Sequence, residues 1–84
     1  MDGKRMKLEV LSPEKTLFIG EVSRVVLPGE EAPFMVLYNH APIISTLSAG
    51  KLSWLSGGAE QCLSVTGGFV EVWDNVVSVC VELL

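Results

Sequence analysis

The sequence predicts an all-β domain, a small sandwich or barrel of roughly seven to ten short strands. Three observations carry this. Apolar and polar residues alternate with period two in successive runs, the pattern of strands with one buried face. Gly, Pro, Asn and Asp pairs separate those runs at close spacing, as tight turns require. No stretch has the 3.6-residue apolar spacing of a long amphipathic helix. The 84 residues allow one domain and not two.

In chain order, residues 1–6 read as a frayed tail and residues 7–84 as a single domain. The first strand lies between Met6 and Leu11, with Leu8 and Val10 on one side and Lys7 and Glu9 on the other. Ser12-Pro13-Glu14-Lys15 is a turn with proline where its fixed φ fits. From Thr16 the chain reads as one long strand to Leu27, with Gly20 as a bulge or bend. In its second part Val22 and Val26 flank Arg24 on one face, and Ser23, Val25 and Leu27 share the other. Pro28-Gly29 ends that strand and opens a loop to Pro33. Phe34 to Leu37 is short and apolar, as a strand buried on both faces would be. Asn39 to Pro42 turns the chain, and Ala41 is biased away from helix by the proline after it. Ile43 to Leu47 reads as strand, with a helical turn over 41–49 as the alternative.

Leu52 and Trp54 then share one face of a strand that ends at the hairpin Ser56-Gly57-Gly58-Ala59. Two strands, Gln61 to Thr66 and Phe69 to Trp73, flank Gly67-Gly68, a pair that marks a bulge or a close backbone approach. Asp74-Asn75 is a second tight turn. In the last strand Val77, Val79 and Val81 point inward, and Ser78, Cys80 and Glu82 outward.

Composition excludes several function classes. Ten acidic and six basic residues give a net charge of −4, with no basic stripe, which argues against nucleic-acid binding. No apolar run approaches the ~20 residues of a membrane-spanning helix. The charged N-terminal stretch is not followed by the apolar segment of a secretory signal. Hydrophobic residues make up 49% of the chain, enough that part of them would form an interface on the surface. Cys62 and Cys80 have no CxxC or paired-histidine context and read as buried reduced thiols. A disulfide between them stays geometrically open if their strands pair. No metal or cofactor is implied.

The segment from Leu27 to Pro42 gathers the candidates for chemistry. His40 is the only histidine, and Ser45 and Ser48 follow it, but no nucleophile-elbow pattern accompanies them. Glu30 and Glu31 are adjacent on a loop, whereas a general acid and base must face each other across a cleft. Their better use is to attract a basic partner. Gly67-Gly68 lacks the Lys-Ser/Thr and the following helix of a phosphate loop. Trp54 and Trp73 fit either core or interface. No catalytic constellation emerges, so a binding or structural role leads.

Several motifs, taken in order, resemble the N-terminal β-sandwich domain of the epsilon subunit of bacterial rotary (F-type) ATP synthases. Leu8-Glu9-Val10-Leu11-Ser12-Pro13-Glu14 resembles its first strand and turn, and Val22 to Gly29 its next segment. Asn39-His40-Ala41-Pro42-Ile43-Ile44 is similar to the family's Gly-His-Ala-Pro-Leu-Leu, and Ala49-Gly50 to a Pro-Gly that follows it. Thr66-Gly67-Gly68-Phe69-Val70-Glu71-Val72 resembles Ser-Gly-Gly-Phe-Val-Glu-Val. The likeness runs from about Lys7 to Glu82. It implies a flattened β-sandwich of about ten strands in a non-catalytic part of the central stalk. Such a rotor subunit binds the gamma subunit and the c-ring and couples proton flow to ATP synthesis. It is a peripheral component at the cytoplasmic face of the bacterial inner membrane. By motif position, Glu30, Glu31, Ala32 and Pro33 would face the c-ring, and Asn39, His40, Ala41 and Pro42 the gamma subunit.

Two departures stand out. Tyr38-Asn39 replaces the family's Pro-Gly before the histidine, and Asn tolerates φ > 0 well enough to preserve the turn. The C-terminal helical hairpin that usually follows is not in these 84 residues, so inhibition through extended helices and an ATP site formed with them are not expected. Two other classes remain open. One is a stand-alone ligand- or carbohydrate-binding module using Trp54, Trp73 and Tyr38; the other is a small hydrolase using His40.

Overall fold

The computed structural model describes residues 4–83, which form eight strands and no helix. They are β1 (Met6–Leu11), β2 (Thr16–Val22), β3 (Arg24–Leu27), β4 (Phe34–Val36), β5 (Ile43–Leu47), β6 (Gly50–Ser56), β7 (Ala59–Trp73) and β8 (Val76–Leu83). The all-β class and the sandwich stand. The strand number is eight among the described residues, where about ten were expected.

β7 runs unbroken through Gly67-Gly68, where two strands were expected. This 15-residue strand joins the two layers. Its first half pairs with β6, from Ala59↔Ser56 to Val65↔Gly50. Its second half lies between β5 and β8. One layer is therefore β5-β7-β8-β1-β2, and the other is β7-β6-β3-β4. Pairing is antiparallel except between β1 and β8. The change of layer falls at a register shift between Val65 and Gly67, followed by Gly68 at φ 150°. A Cβ on Gly68 would run into the Cys80 carbonyl oxygen and the Val81 Cα, so only glycine lets β8 approach this closely.

A second change of layer separates β2 from β3. The expected single strand from Thr16 to Leu27 breaks at Ser23, whose amide donates to the Leu55 carbonyl (3.0 Å). Gly20 stays inside β2, opposite Leu8. The break also resets the alternation. Val22 is buried together with Val25 and Leu27, whereas Val26 is only half-buried, so Val22 does not share a face with Val26 as period two had implied.

The core is apolar throughout. Leu8, Val10, Val70, Val72, Val77 and Val79 line the inner face of the first layer, and Val25, Leu27, Val36 and Leu52 that of the second. No polar or charged residue is buried among the described residues. Trp54 is 5% exposed and stacks obliquely on Phe18 of β2, ring centroids 5.0 Å apart, tying the layers together. Its indole Nε1–H has no hydrogen-bond partner among the described residues, a cost of about 1–3 kcal/mol set against the ring's large buried area.

Two further expectations change and two alternatives are decided. Met6, shared between the tail and the first strand in the sequence reading, opens β1 and is 1% exposed; Lys4 and Arg5 are exposed outside any strand, and the tail reading for 1–3 lies outside the described residues, as does Leu84. Phe34 to Leu37 is not buried on both faces. β4 is an edge strand paired only with β3, which leaves Met35 and Leu37 exposed. The helical alternative for 41–49 gives way to strand β5. The cysteines are free but not buried: Cys62 is exposed and Cys80 half-buried. Cys62 pairs with Ser53 and Cys80 with Phe69, so they sit in different layers.

Candidate docking surfaces

The acidic loop begins where β3 ends. Gly29 makes an isolated bridge to Leu47 at the end of β5, and the Ser48 amide donates to the Pro28 carbonyl (2.8 Å). The Ser48 hydroxyl also reaches the Pro28 and Gly29 carbonyls (3.3 Å each). A Cβ on Gly29 would lie 2.6 Å from the Ala32 carbonyl oxygen, so the loop folds back over this position. Beyond this anchor Glu30, Glu31, Ala32 and Pro33 are all exposed. Neither carboxylate has an ion-pair or hydrogen-bond partner among the described residues.

The histidine segment lies at the opposite end of β4 and β5. β5 runs from Ile43, next to Pro42, to Leu47, next to the acidic loop. Four strand steps separate the ends by roughly 13 Å. Asn39 adopts φ 66°, the left-handed conformation expected for it. The His40 amide closes the turn by donating to the Leu37 carbonyl (3.0 Å). The His40 Nδ1–H donates to the Ala41 carbonyl (2.7 Å), which in the neutral ring leaves Nε2 as an acceptor. No serine reaches this ring: the Ser45 hydroxyl donates to the Thr46 carbonyl and that of Ser48 to Pro28. The hydrolase reading therefore lacks the nucleophile–base contact it needs.

What the sequence alone did not bring to this segment is the β7–β8 turn. Asp74 (φ 51°) and Asn75 (φ 62°) form a mirror-image tight turn. The Asn39 amide donates to Asn75 Oδ1 (2.6 Å), and Asn75 Nδ2 donates to Asn39 Oδ1 (3.1 Å). The Asn75 carbonyl in turn accepts from the Lys7 amide (3.0 Å). Residues 39–42 and 73–75 thus enclose one open recess of about 330 Å³. Trp73, 66% exposed, forms part of its wall. The only sequence signal was that Trp73 lies one residue before a turn; the partners are 36 positions apart.

The two tryptophans therefore divide, Trp54 to the core and Trp73 to the surface. The carbohydrate-module reading keeps Trp73 and Tyr38 as exposed aromatics but loses Trp54. The expected apolar surface is present on the outer face of the first layer. Register aligns Trp73 with Val76, and Phe69 with Cys80 and then Leu11. Ile44, 78% exposed, stands opposite Glu71.

The sequence profile of the ATP synthase delta/epsilon chain β-sandwich domain matches residues 5–83. The chain belongs to this family. It is 44% identical over 82 residues to the ATP synthase epsilon chain of Leptospira interrogans, a match that covers 98% of this chain and 65% of that relative. It is 43% identical over 78 residues to the epsilon chain of Maricaulis maris, covering 93% of this chain and 59% of that one. The chain thus spans less than two thirds of the length of these relatives. Its fold also matches a chain in the Euglena gracilis mitochondrial ATP synthase structure of OSCP, F1 and c-ring. There the TM-score is 0.87 and the identity 21%, over 96% of this chain and 52% of that one. A chain in the Tetrahymena thermophila mitochondrial ATP synthase central stalk and c-ring structure gives a TM-score of 0.78 at 20% identity. That match covers 98% of this chain and 66% of the other.

Proposed function

We propose that this domain works as the β-sandwich of an epsilon chain in the central stalk of a proton-translocating ATP synthase. It has no catalytic role of its own. It would bind the gamma subunit and rest on the c-ring, turning with the rotor and so coupling proton flow to ATP synthesis. Its place would be peripheral, at the cytoplasmic face of a bacterial inner membrane. The observation that carries the reading is the separation of two exposed segments by one strand length in a domain of this family. Residues 39–42 form a clasped, concave surface suited to a structured partner such as gamma. Residues 30–33 form an open acidic loop, suited to basic polar loops of a c-ring.

The test is binding of the 84-residue chain to gamma from the same source. Complex formation at micromolar concentration, weakened by changes at 39–42 but not at 30–33, is the expected result. No detectable complex would refute the gamma assignment. For the c-ring, a Glu31→Cys variant is expected to cross-link to the polar loops in assembled enzyme, and a His40→Cys variant is not.

A further inference from the structure

We infer that the recess between residues 39–42 and the β7–β8 turn is a docking pocket for an arginine side chain of the partner protein. Three features converge there. The indole of Trp73 is largely exposed in the wall of the recess, and an exposed indole face attracts a cation, best a planar guanidinium that can stack on it. The Asp74 carboxylate lines the same recess and has no ion-pair or hydrogen-bond partner among the described residues. The His40 ring, whose Nδ1–H is already committed to Ala41, adds Nε2 as a further acceptor. The open groups with charge or π density are thus an anion, a lone pair and an aromatic face, which favours a cation with several N–H donors.

The recess is also held in shape. The reciprocal Asn39–Asn75 amide pair fixes its two walls to each other, so little ordering would remain for binding. Lys7 sits beside Val76 in the strand register, but its ammonium is 3.6 Å from Glu9. No arginine of this chain lines the recess. Lysine is the poorer fit because its compact, strongly hydrated ammonium neither stacks nor forks. The partner's identity as gamma rests on the function proposed above; the arginine specificity does not.

The experiment has two arms. In the first, the 84-residue chain is titrated with Nα-acetyl-arginine amide and, separately, Nα-acetyl-lysine amide, followed by NMR. Saturable shifts of the Trp73 indole and of the 39–42 and 73–75 amides are expected with arginine, several-fold weaker with lysine, and lost in Trp73→Ala and Asp74→Asn. Trp73 is exposed and Asn tolerates the turn conformation of Asp74, so both variants should keep the wild-type spectrum elsewhere. No saturable shift, an equal lysine response, or shifts that survive Asp74→Asn would overturn the inference. In the second arm gamma is titrated onto wild type and both variants. About tenfold weaker binding of Trp73→Ala is expected, as for an aromatic hot spot. If gamma binds all three equally, the pocket is refuted and the gamma reading stands. If gamma binds none while the arginine shifts appear, the gamma reading falls and the pocket stands.

Discussion

The two ends of the segment from Glu30 to Pro42 are built on opposite plans. At the acidic end, the anchor is chiefly backbone: the Gly29–Leu47 bridge and the Ser48 amide bond to Pro28, joined by the Ser48 hydroxyl, hold the loop's base, and the four residues beyond it are exposed. At the histidine end, side chains do the holding, because Asn39 and Asn75 exchange hydrogen bonds across 36 residues of sequence. The first plan presents charge on a fully exposed loop. The second presents a fixed shape. Long-range electrostatic attraction tolerates an adaptable loop, whereas a concave contact depends on preorganisation. The fixed shape in turn depends on strands far from the segment itself, since Asn75 is placed by the β7–β8 hairpin.

That dependence can be broken most severely at Gly68. Gly68→Ala places a Cβ against the Cys80 carbonyl and should cost on the order of 3 kcal/mol, read as a lower midpoint in urea denaturation. The histidine end should lose amide protection along with β7 and β8.

A smaller and more local break comes from Asn75. Asn75→Ala loses the amide pair and places a Cβ residue at φ 62° that lacks asparagine's local hydrogen bonding, for a loss of about 2 kcal/mol. Asn75→Gly keeps the turn and should lose only about 1 kcal/mol. Denaturation of the two variants side by side separates clasp from backbone. The loss in Asn75→Gly reads the amide pair and the extra loss in Asn75→Ala reads the backbone, so equal losses would mean that the left-handed conformation costs alanine nothing.

Smaller again is the effect expected at Asn39. Asn39→Gly restores the residue that the family motif carries, and loses Oδ1 while keeping the backbone amide bond to Asn75. Stability should fall by less than about 1 kcal/mol. Hydrogen exchange at His40 should accelerate while exchange at Leu47 and Ser48 does not change.

Least affected should be the double variant Glu30→Gln/Glu31→Gln. Both carboxylates are exposed and unpaired among the described residues, so stability should move by no more than about 0.5 kcal/mol. Affinity for a basic partner should weaken and lose most of its salt dependence. A large change in stability would show that the acidic loop is held as firmly as the histidine turn.

Much of this was legible from residue order because it is local. Alternation placed Val77, Val79 and Val81 inward. Paired turn residues placed both hairpins, and the positive φ values at Gly57, Gly58, Asp74 and Asn75 follow from those residue types. The tolerance of Asn for φ > 0 made Asn39 readable as a turn residue. Alternation failed where the chain changes layer. At Ser23 the parity resets, which no local pattern records, so Val22 was assigned the wrong companions. An apolar run such as Phe34 to Leu37 looks the same whether buried or on an edge; β4 is on the edge because nothing pairs with its far side among the described strands. For the candidate sites, the two segments at 30–33 and 39–42 could be read from their motifs, but the third contributor, 73–75, could not.

By itself the sequence determined the strand periodicity, the turn positions and the family, since each is written in neighbouring residues or in motif order. The tertiary structure decided that the largest apolar side chains of this part of β7 stay outside the core. Glu71 marks its own face as outward, but only the pairing shows that Phe69 and Trp73 remain exposed beside it while Val70 and Val72 meet the opposite layer. The same pairing of distant strands brought Asn75 to Asn39 and Trp73 to His40. The recess therefore belongs to the packing of β7 and β8 beside β5, and to no single stretch of the chain.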